Sequence, residues 1–217
     1  MTEWGPIRVV ALDDHDFILR SLADLETLAH GGVRLVGSFT SAEELLAAVA
    51  ELKPAVAIVD LFLYGRIAGH EVIAELADRG IWSIAFTAEH RRVPVRLAMQ
   101  AGARGLVLKS DSVSVLLQAV RDVAGGGWSQ SSMMAAILLQ ESESVPNLSQ
   151  QELECLRLAG EGVPVYAIGR QFDPPITLSS VKTYLTRAYE KYAAVGREVA
   201  NTTQAAVETV SDGWFDV

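Results

Sequence analysis

Short apolar runs alternate with helix-period segments along the first half of the chain, and the runs end in polar side chains. Ile7-Arg8-Val9-Val10-Ala11-Leu12 leads into Asp13 and Asp14, the run 55–59 into Asp60, the run 81–86 into Thr87, and Leu106-Val107-Leu108 into Lys109. Runs this short and rich in aliphatic and β-branched residues predict strands buried on both faces. The helical segments between them supply the crossovers of a doubly wound parallel α/β sheet. In such a sheet the carboxyl ends of the strands line one crevice, so three carboxylates, a hydroxyl and an ammonium are expected at one edge.

The pattern changes after residue 124. A last amphipathic helix is predicted over 113–123, where Val113, Leu116, Leu117, Val120 and Val123 recur at helical spacing, and Gly125-Gly126-Gly127 stops it as a hinge. A short apolar helix is predicted within 131–140, around Met133 to Leu139, followed by a polar, Pro-broken linker over 141–147. The remainder reads as all helical. Ser149 and Glu152 form a capping box for a helix over 150–160. A short helix over 165–172 ends at Asp173-Pro174-Pro175-Ile176. Thr177 or Ser179 caps a longer helix over 180–192, and a final amphipathic stretch covers 198–210. A helix, a turn and a second helix rich in hydroxyls, Lys and Arg is the layout of a helix-turn-helix that sets its second helix in the major groove of DNA.

Composition narrows the setting. Half of the 217 residues are apolar, enough for a substantial core. The single Cys, Cys155, excludes an intramolecular disulfide and falls in an apolar helical pattern that marks it as core. No apolar stretch reaches the roughly 20 residues that span a bilayer, and the first residues carry no basic leader, so a cytoplasmic location without membrane association is expected.

The residue types at the predicted crevice carry their own chemistry. Adjacent carboxylates repel unless a hard divalent ion such as Mg²⁺ joins them. Asp60, alone on a central strand, is placed to attack phosphorus and form an acyl phosphate, while Thr87 and Lys109 can each hold a phosphoryl oxygen. The elements Asp13-Asp14, Val59-Asp60-Leu61, Phe86-Thr87-Ala88 and Ala101-Gly102-Ala103-Arg104-Gly105-Leu106-Val107-Leu108-Lys109 together resemble the receiver domain of two-component response regulators. That resemblance implies a five-stranded flavodoxin-like sheet, phosphorylation of Asp60 by a cognate histidine kinase, and Mg²⁺ held by Asp13, Asp14, Asp60 and the backbone carbonyl of Phe62. The chain departs from the family pattern in several places. Leu63 and Tyr64 stand where Met-Pro is usual, Gly69 comes one residue late, Leu106 occupies the place of an aromatic switch, and Ser110 that of a frequent Pro.

Residues 148 to about 210 resemble the LuxR-type output domain of NarL-like regulators. The likeness rests on Leu148-Ser149-Gln150-Gln151-Glu152-Leu153, Glu161-Gly162, Ala167-Ile168-Gly169-Arg170-Gln171-Phe172 and Val181-Lys182-Thr183-Tyr184, with a turn about two residues longer than usual. This implies a receiver domain over 1–124, a linker over 125–147 and a DNA-binding domain over 148–217, working as a homodimer on double-stranded DNA. Lys182, Thr183, Thr186 and Arg187 are the expected DNA contacts. Charge argues against this reading, because residues 141–217 hold eleven acids and six bases in a chain of net charge −9, and backbone affinity for DNA comes from neutralised phosphates. The stretch 177–197 reverses the sign locally, with Lys182, Arg187, Lys191 and Arg197 against Glu190. Two other readings compete: a regulator controlled by protein or small-molecule binding without phosphorylation, and a phosphatase-type enzyme using Asp60. Phe62, and not a second acid, two residues after Asp60 ranks the enzyme last.

Overall fold

Six strands form one parallel sheet in the computed structural model, which describes residues 5–63, 67–88, 91–132 and 145–215. They are β1 (Ile7–Leu12), β2 (Val33–Phe39), β3 (Val56–Val59), β4 (Trp82–Thr87), β5 (Gly105–Leu108) and β6 (Ser129–Gln130), in the order β2-β1-β3-β4-β5-β6. The first five follow the expected flavodoxin-like order. The strand order reverses its direction across the sheet between β1 and β3, and this switch point opens a crevice at their carboxyl ends.

Alternation along each strand sends side chains to two faces. Val9, Ala11, Ile58, Phe86 and Val107 share a buried cluster with Leu19 and Leu22 of α1 (Asp16–Ala23) and with Leu116, Leu117 and Val120 of α6 (Val113–Ala124). On the opposite face lie α3 (Ala42–Leu52) and α4 (Gly69–Asp78), which bury Leu45, Val49, Val72, Ile73 and Leu76. Two further helices, α2 (Leu25–Leu28) and α5 (Arg92–Gln100), complete this unit among the described residues. Each fully buried aliphatic side chain stabilises the fold by about 1.5–3 kcal/mol, so the strands that carry the crevice are held by a continuous apolar layer.

The sixth strand departs from the five-stranded expectation. Gly126, at φ +82°, turns the chain after α6, and the Gly127 N–H donates to the Asp122 carbonyl at 2.9 Å. The chain then runs along β5. Ser129 N–H donates to Arg104 O at 2.9 Å and Ser131 N–H to Leu106 O at 3.0 Å. Two polar residues leave no apolar run to announce a strand. The predicted helix around Met133 to Leu139 and the linker at 141–144 lie outside the described residues.

The C-terminal helices form a second compact unit. They are α7 (Gln150–Gly160), α8 (Val165–Ile168), α9 (Leu178–Ala194) and α10 (Thr202–Asp212), packed on Cys155, Leu156, Ile168, Val181, Leu185, Ala188, Tyr192 and Ala205. The capping box is present: Ser149 Oγ accepts from Glu152 N–H at 3.4 Å, and Glu152 Oε2 accepts from Ser149 N–H at 2.7 Å. Thr177 caps α9 through Ser180 N–H, and Asn201 caps α10. The lengthened turn between α8 and α9 is closed by Ile176 N–H donating to Gly169 O at 2.9 Å. A Cβ on Gly169 would stand 2.3 Å from the Ile176 carbonyl oxygen, so only glycine allows that approach. Glu152 is buried and takes Lys191 Nζ at 2.7 Å, tying α7 to α9. Burial works to raise its pKa, but Lys191 and the Ser149 N–H outweigh burial and hold it below the ordinary value. Burial pushes the Cys155 thiol up to about 11, as expected of a core residue with no nucleophilic role.

Candidate functional site

Strand register assembles the crevice. Leu12 is opposite Val59 across the β1–β3 pair, so the next residues, Asp13 and Asp60, emerge side by side. Thr87 is opposite Leu108 across the β4–β5 pair, and Lys109 N–H donates to Thr87 O at 2.9 Å. Asp13, Asp60 and Thr87 are almost wholly buried. The Lys109 ammonium bridges the first two, with Nζ 2.6 Å from Asp13 Oδ2 and 2.7 Å from Asp60 Oδ2. The structure thus brings Asp13, Asp60 and Lys109 into direct contact and sets Thr87 beside Lys109 at the same strand ends.

The loop after Asp60 is shaped by two contacts. Phe62 N–H donates to Asp60 Oδ1 at 3.3 Å, wrapping the backbone around the carboxylate. Gly69 opens α4 directly against that loop, where a Cβ would stand 2.2 Å from Asp60 O and 2.6 Å from Leu61 Cα. The glycine that comes one residue late in the sequence therefore meets a strict steric demand at the site.

Sequence reasoning missed His15. Its Nδ1 lies 2.6 Å from Asp14 Oδ1 and 3.2 Å from Asp13 Oδ1. Asp13, Asp14, His15 and Asp60 each offer one ligand atom, and these atoms all lie within 4.8 Å of one another. Carboxylate oxygens gathered this closely suit a hard divalent cation. The sequence offered one signal, the place of His15 directly after the acid pair, which does not by itself show where the ring turns.

Burial sets the electrostatics. It penalises the charge of Asp60 and raises its pKa above the ordinary value, an effect that the Lys109 ammonium offsets only in part and that Asp13 reinforces. Burial alone would lower the pKa of Lys109, but its bonds to Asp13 and Asp60 carry it above the ordinary value. The pocket thus keeps its lysine charged and its central carboxylate under strain.

In the second unit, Val181, Leu185, Ala188 and Tyr192 face the core, while Lys182, Thr183, Thr186 and Arg187 are all exposed on the outer face of α9. Tyr184 is half-buried against the core. The acids of this unit are largely committed internally. Arg157 pairs with Glu154 and Glu161, Lys191 with Glu152, and Arg197 with Glu208 and Asp212. Arg170, Lys182 and Arg187 are exposed, and none of them forms an ion pair with a described residue.

A buried acid cluster at the switch point of a 2-1-3-4-5 sheet, faced by a threonine and a lysine, defines a receiver. Residues 9–121 match the response regulator receiver domain. The chain is 34% identical over 200 residues to the response regulator GacA of Pseudomonas protegens, covering 85% of this chain and 89% of that protein. It is 28% identical over 210 residues to the transcriptional regulatory protein DesR of Bacillus subtilis, covering 96% and 99%. A solved structure of two RcsB dimers bound to two parallel DNAs superposes with a TM-score of 0.65 at 22% identity, covering 95% of this chain and 98% of that one. The chain belongs to the response regulator family. Among the described residues no helix is long and apolar enough to cross a membrane.

The strain on Asp60 has a measurable sign. Its folded pKa lies above the ordinary 3.8, so the folded state binds that proton more tightly than the unfolded chain. Asp60 therefore costs stability as pH rises out of this window. Asp60→Asn is expected to stabilise the protein near pH 7 by on the order of 1 kcal/mol. The gain should shrink as pH falls toward 3.8, measured by urea unfolding across pH.

Proposed function

We propose that this chain is a DNA-binding transcription regulator whose receiver accepts a phosphoryl group on Asp60 from a partner histidine kinase. The observation that carries this reading is the buried Asp60 carboxylate, with the Lys109 ammonium against one oxygen and two further carboxylates within ligand distance. Asp60 is the nucleophile. Thr87 and Lys109 bind phosphoryl oxygens, with Lys109 moving from its carboxylate partners to do so. Asp13, Asp14, Asp60 and the Phe62 carbonyl would hold Mg²⁺, which supplies neutralisation of the incoming negative charge. Residues 1–124 act as the receiver, 125–147 as the linker and 148–217 as the output domain, in a cytoplasmic homodimer.

The exposed Lys182, Thr183, Thr186 and Arg187 on α9 are the groove contacts. The net negative charge stays, but Glu152, Glu154, Glu161, Glu208 and Asp212 are drawn to Arg157, Lys191 and Arg197, away from Lys182 and Arg187. Those acids are screened at short range by their own partners, whereas the α9 cations remain available to phosphates. The RcsB complex supports this use of the fold. One observation favours a regulator with weak dependence on phosphorylation: Leu106 is fully buried in β5, at the place where the family's aromatic switch would turn.

Incubation with a small-molecule phosphodonor and Mg²⁺ should add one phosphoryl mass to the wild-type protein and none to Asp60→Asn; a modified Asp60→Asn variant would reject the acceptor assignment. For DNA, Lys182→Ala and Arg187→Ala should each lower affinity and reduce the salt slope by about one unit for every phosphate no longer neutralised. Unchanged binding in the double variant would show that another surface carries the duplex.

A further inference from the structure

His15 is the member of the acid pocket to which the receiver reading gives no task. Its backbone is fixed at the start of α1. The His15 N–H donates to Asp13 Oδ1 at 3.0 Å, and its carbonyl accepts from Ile18 N–H at 2.9 Å and Leu19 N–H at 3.3 Å. From that anchor the ring reaches inward, placing Nδ1 against Oδ1 of both Asp14 and Asp13. Lys109 approaches the carboxylates from their other oxygens, Oδ2 of Asp13 and Oδ2 of Asp60. Imidazole and ammonium thus occupy different sides of the same cluster.

We propose that His15 is a metal ligand through Nδ1, which makes the pocket a mixed nitrogen–oxygen site favouring a borderline transition ion such as Ni²⁺ or Co²⁺ beyond what its carboxylates alone would give relative to Mg²⁺. This rests on reading the pocket as a divalent-ion site. Mg²⁺ is a hard ion that keeps several waters and gains little from a nitrogen donor. First-row transition ions gain from imidazole, in the order of the Irving–Williams series. The ring is in the right state to serve when its proton sits on Nε2. The His15 side chain is 61% exposed, so a proton on Nε2 can be satisfied by solvent. A histidine that merely hydrogen-bonds its acidic neighbours would influence all divalent ions alike.

The experiment compares Mg²⁺ and Ni²⁺ binding to the full-length protein by calorimetry, in wild type, His15→Ala and Asp60→Asn, with pulsed electron paramagnetic resonance of bound Mn²⁺ reporting directly coordinated nitrogen. We expect His15→Ala to weaken Ni²⁺ at least about tenfold and Mg²⁺ by no more than about twofold. We also expect a nitrogen coupling in the wild type that the variant lacks. Equal losses for the two ions, or no nitrogen coupling in the wild type, would overturn the ligand role of His15 while leaving the pocket as an oxygen site. Failure of Ni²⁺ alone to bind the wild type would overturn the role of His15, whereas failure of both ions, or binding of both undiminished in Asp60→Asn, would overturn the divalent-ion reading and the role of His15 with it.

Discussion

The contact on which the receiver half depends is the Lys109 ammonium held between Asp13 and Asp60. Two buried carboxylates on adjacent strands could not both keep their charge without a cation, because the desolvation of each would run to several kcal/mol. Strand register puts the carboxylates there, and the β4–β5 pair delivers the lysine to meet them. Remove the lysine and the sheet edge holds like charges in a low-dielectric crevice. Supply a divalent ion and a phosphoryl group, and the lysine has a new place to go. The same balance that stabilises the resting pocket makes it responsive to an added dianion.

In the second unit the charges are arranged differently. A domain with more acids than bases should repel DNA if all charges were equal. They are not equal, because the acids on α7 and α10 are spent on Arg157, Lys191 and Arg197, whereas Lys182 and Arg187 stand on the outer face of α9 beside Thr183 and Thr186. Helical periodicity separates the two populations: Val181, Leu185, Ala188 and Tyr192 turn inward, while Lys182, Thr183, Thr186 and Arg187 turn out.

Much of this was legible in the sequence, for identifiable reasons. Strands buried on both faces appear as continuous apolar runs, so β1, β3, β4 and β5 and the polar residues ending them could be read directly. The strand β2 could not, because an edge strand with Arg34, Gly37 and Ser38 is partly exposed and its pattern is mixed. The strand β6 was hidden because two polar residues join the sheet only through backbone bonds to Arg104 and Leu106. Capping residues announced α7, while the true start of α9 at Leu178 needed the geometry of Thr177. His15 was passed over since adjacency in sequence does not show which ring atom turns toward a carboxylate. Gly69 read as a departure, yet its close approach to Asp60 O shows that the site demands glycine at that point.

Lys109 sits at the end of β5, and β5 is bounded on its far side by the Ser129 and Ser131 bonds, so a displacement of the lysine acts on a strand held along both edges. The most direct test of this central role is to follow the Lys109 ammonium by nitrogen-15 NMR while the protein is phosphorylated in the presence of Mg²⁺. Its resonance is expected to shift as Nζ leaves the Asp13 and Asp60 carboxylates for the phosphoryl oxygen, and to stay in place in Asp60→Asn under the same conditions. An ammonium signal unchanged in fully phosphorylated wild-type protein would contradict that role.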